Sequence, residues 1–233
     1  MFIIGGSCSS ETKKQVFSTV DFLYKRNITN FRIAVNKYRS DPETYQGTEE
    51  AVGWIKEIKS LYKNVRIYTE VFNEKDIELL VGLVDVFQVG SRNQTNTSLL
   101  KEINKTKKQV LFKRHYAASL EEFVKHSEYL KDCEIIMCLR GIMSLHPQEQ
   151  RFFPDLTDIA RLREMTSNPI CFDASHSACF KRFVPKLIEA AKVFEPEYIM
   201  IEVHPNPKEA KSDAQQQLSF EEFKILKDEG LFN

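Results

Sequence analysis

The chain has 233 residues, of which 42% are hydrophobic and 28% charged, the balance of a soluble globular protein. Its 33 Lys and Arg are matched by 33 Asp and Glu. Zero net charge argues against a general nucleic-acid binder and against a polybasic membrane binder, but leaves room for a local cluster of one sign. The opening run MFII is too short for a signal peptide and lacks a basic flank, and no stretch approaches the ~20 apolar residues of a membrane helix. The five cysteines, Cys8, Cys133, Cys138, Cys171 and Cys179, are odd in number and sit mostly in apolar runs. They argue against a disulfide framework and for the reducing cytoplasm.

In chain order, eight apolar, β-branched or aromatic runs recur: FIIGG, FRIAVN, VRIYTEV, VFQVGS, QVLFKR, EIIMCLR, PICFDAS and YIMIEVH. Segments with apolar residues at spacings of three and four separate most of them. In GTEEAVGWIKEIKSLYKN the expected stripe is Val52, Ile55, Ile58 and Leu61. Ser119 with Glu122, and Ser219 with Glu222, read as capping boxes that open helices. The basic NKTKKQ around Lys105 to Lys108 reads as a solvated turn, and no linker, repeat or low-complexity tract interrupts the pattern.

Strands alternating with helices imply a parallel sheet. Eight such units are the count of a closed (β/α)₈ TIM barrel, for which ~250 residues is typical. An open doubly wound sheet ordinarily carries a Gly-rich phosphate loop after its first strand, and GGSCSSE fits neither the dinucleotide fingerprint nor a P-loop. The expectation is an α/β fold with one TIM barrel over residues 1–233.

In such a barrel the C-terminal strand ends face the catalytic mouth. Here they deliver, in order, Cys8; Arg32 with Lys37 and Arg39 beyond it; Glu70; Arg92; Lys113; Arg140; Asp173 with His176; and Glu202 with His204. Arg32, Lys37, Arg39, Arg92, Lys113 and Arg140 would make a strongly positive bowl. Six cations repel one another unless anions neutralise them. Phosphorylated or carboxylate-bearing substrates would do so, with Arg suited to bidentate capture and Lys acting as a point charge. The plainer alternative is that some pair with local Asp or Glu. The remaining groups, Cys8, His176, Glu202 and Asp213, offer one thiolate, one imidazole and two carboxylates. That set suits a divalent ion such as Mn, Fe, Co or Zn. A lone Cys after a first strand is more often a buried hydrophobe, and a lone His is more often simply hydrogen bonded. His204, two residues past Glu202, is a candidate supporting group for that set.

Taken together, these segments resemble 3-deoxy-D-arabino-heptulosonate 7-phosphate (DAHP) synthase, in its short type I β form, over nearly the whole chain. The family's Gly-Pro-Cys-Ser-x-Glu-Ser corresponds to GGSCSSET, and its Lys-Pro-Arg-Thr-Ser-Pro-x-x-Phe-Gln-Gly to KYRSDPETYQG. Thr-Glu-Val is intact at 69 to 71, Gln-Ile-Gly-Ala-Arg-Asn appears as QVGSRN, Leu-Leu-Lys-Arg as LFKR, Cys-Glu-Arg-Gly as CLRG and Asp-Pro-Ser-His as DASH. Glu-Val-His-Pro-x-Pro-x-x-Ala-x-Ser-Asp is present at 202 to 213.

The resemblance implies a TIM barrel and a metal held by Cys8, His176, Glu202 and Asp213. It places phosphoenolpyruvate on Arg32, Lys37, Arg92, Lys113 and Arg140, and erythrose 4-phosphate on Arg39 and Ser40. The implied reaction is an aldol-type condensation at the head of the shikimate pathway of aromatic amino acid biosynthesis. Lys37, Glu70, Lys113 and Asp213 are then the expected catalytic groups, and a dimer or tetramer the expected assembly. The family's N-terminal regulatory domain is not expected here, nor is feedback inhibition through it.

Departures cluster at the mouth. Ser7, Tyr38 and Ala174 replace prolines, and Leu139 replaces the Glu of Cys-Glu-Arg-Gly, so Arg140 is expected to lack an orienting carboxylate. His115 replaces a Gly, and Met143, Leu145 and His146 replace polar and aromatic family residues. Competing readings are a sister sugar-acid synthase using another aldose phosphate, an imine-forming aldolase through Lys113, and a barrel that binds phosphoenolpyruvate without catalysis.

Overall fold

Side chains along a β-strand alternate between two faces, and that alternation decides what fills the mouth of this protein. The computed structural model describes residues 1–37, 41–146 and 150–232. Its barrel strands are β1 (Phe2–Gly6), β2 (Asn30–Arg32), β3 (Arg66–Glu70), β4 (Val86–Val89), β5 (Gln109–Lys113), β6 (Ile135–Leu139), β7 (Ile170–Asp173) and β8 (Tyr198–Glu202). All pair in parallel, in chain order, and β8 closes on β1 through five aligned residue pairs. The single TIM barrel expected from the sequence is the fold.

One face of every strand looks inward. Ile4, Tyr68, Val86, Leu111, Ile136, Cys138, Cys171 and Met200 form an apolar plug inside the barrel. Two residues further along the same face come Gly6, Glu70, Gln88, Lys113, Arg140, Asp173 and Glu202, with Arg32 on β2. The plug is therefore roofed by a charged layer at the C-terminal ends. The alternate residues, among them Phe31, Ile67, Phe87, Phe112, Phe172 and Ile201, point outward into a second apolar layer beneath the helices.

That outer layer is covered by α1 (Lys13–Tyr24), α2 (Glu50–Leu61), α3 (Glu74–Leu80), α4 (Thr97–Lys105), α5 (Leu120–Ser127) and α6 (Thr157–Met165). A short α7 (Ala174–Ala178), α8 (Val184–Lys192) and α9 (Phe220–Asp228) follow. In α2 the buried face is Ala51, Trp54, Ile55 and Ile58, while Leu61 is 61% exposed. A strict three-residue spacing walks around the helix: at about 100° per residue, Leu61 lies opposite Val52. Ser219 forms the full capping box with Glu222. At Ser119 the hydroxyl accepts from the Glu122 N–H at 3.1 Å, and that forward half is the cap it makes.

Two expected strands are shorter than their apolar runs. β2 stops at Arg32 because the chain then leaves the sheet, and Val35 accepts from the Thr48 N–H at 2.8 Å. β7 stops at Asp173 because Ala174 already belongs to α7. Beyond β6, Ile142–Met143 pairs antiparallel with Phe152–Phe153 as a small ribbon.

Candidate active site

Cys8 reaches the mouth because β1 ends in a turn only glycine permits. Gly6 has φ +154°, and a Cβ there would lie 2.2 Å from the Arg32 carbonyl oxygen. The Cys8 backbone N–H donates to Gln217 Oε1 at 3.0 Å. Its sulfur receives Lys37 Nζ at 2.9 Å and Ser212 Oγ at 3.0 Å, and the thiol donates to Asp213 Oδ2 at 3.1 Å. Asp213 is held at φ +46°, a left-handed conformation that Asp tolerates better than most residues. His176 is presented by α7, whose N-cap is Asp173: Asp173 Oδ1 accepts from the His176 N–H at 3.0 Å.

One donor atom each from Cys8, His176 and Asp213 lies within 4.8 Å of the others. Glu202 stands beside this trio, its Oε1 3.6 Å from His176 Nε2. Its oxygens are engaged by Arg32 Nη2 at 2.5 Å and Gln216 Nε2 at 2.7 Å. Burial pushes the Cys8 thiol up to about 12, reinforced by Glu202 and opposed by Lys37. Burial also lowers the His176 pKa, against Asp173, which favours the neutral imidazole that ligates metals. For Asp213, burial disfavours the charge, but His176, Lys37, the Cys8 thiol and Arg151 outweigh it and hold the carboxyl below its usual range. A soft sulfur, a neutral imidazole and an ionised carboxylate at this spacing fit a divalent ion, which would take the place of the thiol proton.

Among the described residues, His204 makes no hydrogen bond to this trio. Its Nδ1 accepts from the Asn206 N–H at 3.1 Å, and its Nε2 faces Glu11 at 3.8 Å. Only Nδ1 is hydrogen bonded; Nε2 is buried without a hydrogen bond among the described residues.

Several cations of the positive bowl are bonded within the site. Buried Arg32 is bonded to Glu202, and buried Lys113 to Asp173, so the plainer alternative holds for these two. Lys37 is held by the sulfur and carbonyl of Cys8. Among the described residues the Arg140 guanidinium has no such partner: its Nε and Nη2 are shielded from solvent without a hydrogen bond. Opposite, Gln88 Nε2 donates to Glu70 Oε2 at 3.0 Å. Glu70 Oε1 occupies the place of a side chain at position 90, 1.8 Å from where a Gly90 Cβ would stand. Arg32, Lys37, Glu70, Arg92, Lys113, Arg140, His176 and Asp213 all line one cavity of about 310 Å³, the size of a small-ligand site. Arg39 and Ser40, with Tyr38, lie outside the described residues. Met143, Leu145 and His146 are exposed, and the His115 ring packs 4.1 Å from that of Tyr116.

Sequence reasoning assigned no role to Gln88, Arg151 or Phe152, and named Asp173 only as a strand end. All but Asp173 line the cavity. Gln88 and Asp173 could have been found from the two-residue period that places Glu70 and Lys113. Arg151 and Phe152 lie in no strand-like run.

A parallel barrel whose C-terminal mouth gathers cations around a thiol, an imidazole and carboxylates is a TIM-barrel protein built for anionic ligands. Residues 1–230 match the DAHP synthetase I family, and the chain belongs to that family. It is 32% identical over 228 residues to phospho-2-dehydro-3-deoxyheptonate aldolase of Thermotoga maritima, covering 96% of this chain and 67% of that protein. The crystal structure of that aldolase (DAHP synthase) superposes with a TM-score of 0.92 at 32% identity, covering 99% of this chain and 68% of the other. A truncated form of the Thermotoga maritima 3-deoxy-D-arabino-heptulosonate 7-phosphate synthase gives 0.87 at 30% identity, covering 99% and 85%. The 2-dehydro-3-deoxyphosphooctonate aldolase of Francisella tularensis subsp. holarctica is more distant, at 24% over 251 residues, covering 96% and 87%.

Proposed function

We propose that this protein condenses phosphoenolpyruvate with erythrose 4-phosphate and water, giving 3-deoxy-D-arabino-heptulosonate 7-phosphate and inorganic phosphate. The observation that carries the reading is one cavity in which six cations, Arg151 among them, meet His176 and Asp213 of the Cys8–His176–Asp213 cluster, in a chain of this family.

Phosphoenolpyruvate brings a phosphate and a carboxylate, and Arg32, Lys37, Arg92, Lys113 and Arg140 supply the countercharge. Holding both anions fixes the enol carbon against the aldehyde, which converts encounter into orientation. The enol methylene carbon attacks the aldehyde carbon, and the positive charge that develops on the phosphate-bearing carbon is met by water. The adduct then loses phosphate by C–O cleavage, so water oxygen ends on the new ketose. Glu70, braced by Gln88, and Lys113, braced by Asp173, are the acid/base pair for that water. Arg39 and Ser40 are the proposed anchors for the aldose phosphate. Cys8, His176, Asp213 and Glu202 would hold a divalent ion (Mn, Fe, Co or Zn), which supplies Lewis-acid polarisation of the aldehyde oxygen.

The deciding experiment is phosphate release from phosphoenolpyruvate with Mn²⁺, with and without erythrose 4-phosphate, beside a chelator control. Release that needs the aldose and stops with chelator supports the synthase. Release with arabinose 5-phosphate instead would move the assignment to the octulosonate type of the Francisella relative. Binding without release under every aldose would leave a non-catalytic barrel. A homodimer or homotetramer is proposed from the family resemblance, and sedimentation tests it. Five free cysteines support a reducing, cytoplasmic setting, and no helix among the described residues is long and apolar enough to cross a membrane.

A further inference from the structure

Arg140 stands at the end of β6 as a cation whose charge is not met by a bonded carboxylate among the described residues. Its shielded, unpartnered atoms are Nε and Nη2. These lie on one edge of the guanidinium, the edge that grips a phosphate or carboxylate through two parallel N–H···O bonds. Leaving two buried donors unmatched costs free energy until an acceptor fills the place. Burial lowers the Arg140 pKa, with Asp173 opposing and Arg151 adding to the effect, as for a charge short of countercharge.

What holds the group is an aromatic ring. The Arg140 guanidinium carbon lies 3.9 Å from the Phe152 ring centroid, and that of Arg151 lies 4.6 Å from the same centroid. Phe152 is itself 7% exposed and tightly seated. A Cβ at Gly141 would stand 2.6 Å from the Phe152 Cβ, so only glycine leaves room for it. The Tyr116 ring packs 5.6 Å away. Leu139, where the family resemblance places a glutamate, points outward into the apolar layer beneath the helices.

The distinction between the two kinds of support is chemical. A carboxylate would hold Arg140 by consuming N–H donors. An aromatic face holds a guanidinium through its π cloud and leaves every N–H free. We propose that Phe152 is the positioning residue of the anion seat: its ring fixes Arg140 in the wall of the cavity and brings Arg151 beside it, so that the N–H donors of Arg140 stay unspent for a phosphate or carboxylate of the enol phosphate. This rests on reading the cavity as the phosphoenolpyruvate site.

The test measures binding of phosphoenolpyruvate alone, by calorimetry without aldose or added metal. The proteins are the wild type, Arg140→Ala, Phe152→Leu and Phe152→Tyr, each checked for folding by a thermal melt, with Phe152→Met replacing the Leu variant if that does not fold. The expected result is the largest loss in Arg140→Ala, a roughly tenfold loss in Phe152→Leu, and near-complete retention in Phe152→Tyr, which keeps the ring. In steady state Phe152→Leu raises KM for phosphoenolpyruvate with kcat little changed, a split that general loosening of the fold does not produce. If Arg140→Ala loses binding while Phe152→Leu binds like the wild type, or if the Tyr and Leu variants lose equally, the positioning role is overturned and the synthase reading stands. If Arg140→Ala binds like the wild type, the cavity is not the phosphoenolpyruvate seat, and both readings fall.

Discussion

Lys37 donates to both the sulfur and the carbonyl oxygen of Cys8, each at 2.9 Å. One ammonium therefore joins the positive bowl to the thiol–imidazole–carboxylate cluster. Substrate anchoring and the proposed metal site are one connected unit, and substitutions at the two positions should couple rather than add.

Cys8→Ala follows directly. Removing the sulfur takes away one of three donor atoms gathered within 4.8 Å. Phosphate release should fall by at least about a hundredfold, the scale seen when groups that organise a metal centre are lost. Phosphoenolpyruvate binding should survive, because Arg140 and Arg92 are untouched. Titration with Co²⁺ gives an independent reading: the wild type should show a thiolate charge-transfer band and the variant none. An equal band in both proteins would remove Cys8 from the donor set.

Asp173 has two separable duties. Its Oδ1 caps α7 and its Oδ2 pairs with buried Lys113. Asp173→Asn keeps an oxygen for the cap but leaves Lys113 without countercharge, a change on the scale of about 3–5 kcal/mol for a buried pair. Asp173→Ala loses the cap as well and should be less stable again by roughly 1 kcal/mol. Both should lose most of the turnover. Urea denaturation of the two variants side by side checks the ranking, and equal stability would show that the cap contributes little.

Glycines at two positions should respond with opposite signs. Gly90→Ala puts a methyl group where Glu70 Oε1 now lies, 1.8 Å away. The carboxylate must swing off Gln88, and turnover should drop at least about tenfold while the fold survives, since the carboxylate is the end of a side chain. Gly53 lies in α2 with nothing within 4 Å of an added Cβ. Gly53→Ala should raise stability by roughly 0.5–1 kcal/mol through helix propensity. Melting both variants and assaying Gly90→Ala tests the pair.

The layered barrel was legible because its physics is local: a two-residue period carries Leu111 to Lys113 and Met200 to Glu202 onto one face. The gathering of Cys8, His176 and Asp213 was suggested by the strand ends and their donor chemistry, and family resemblance made it specific, since their chain separations encode no geometry. Leu61 misled because spacing by three alone spirals around a helix. The pairing of Lys113 with Asp173 spans sixty positions, and nothing in either strand names its partner. Phe152 was illegible for a different reason. It lies in a two-residue ribbon with no periodicity, and its proposed role is a stacking geometry that exists only after β6 and the ribbon have packed.

Acid sensitivity should include a contribution away from the site, at Glu197. Its Oε1 receives Arg163 Nη1 at 2.8 Å and its Oε2 the Ile170 N–H at 2.8 Å, tying α6 to the start of β7. Burial raises the Glu197 pKa, but the Arg163 bond and the backbone N–H outweigh it, so the folded value lies below the ordinary 4.5. A carboxyl depressed by folding stabilises the protein above its ordinary pKa, and that contribution disappears as pH falls through the depressed folded value. Because the pair is over a third exposed, its size is modest, about 0.2–1 kcal/mol at neutral pH. Glu197→Gln should therefore be slightly less stable than the wild type at about pH 7, and the gap should close as the pH falls below the ordinary 4.5 and through the depressed folded value. Urea melts of both proteins across that range decide the matter. A gap that persists unchanged in acid would mean that the Glu197 charge contributes nothing and that shape alone holds α6 in place.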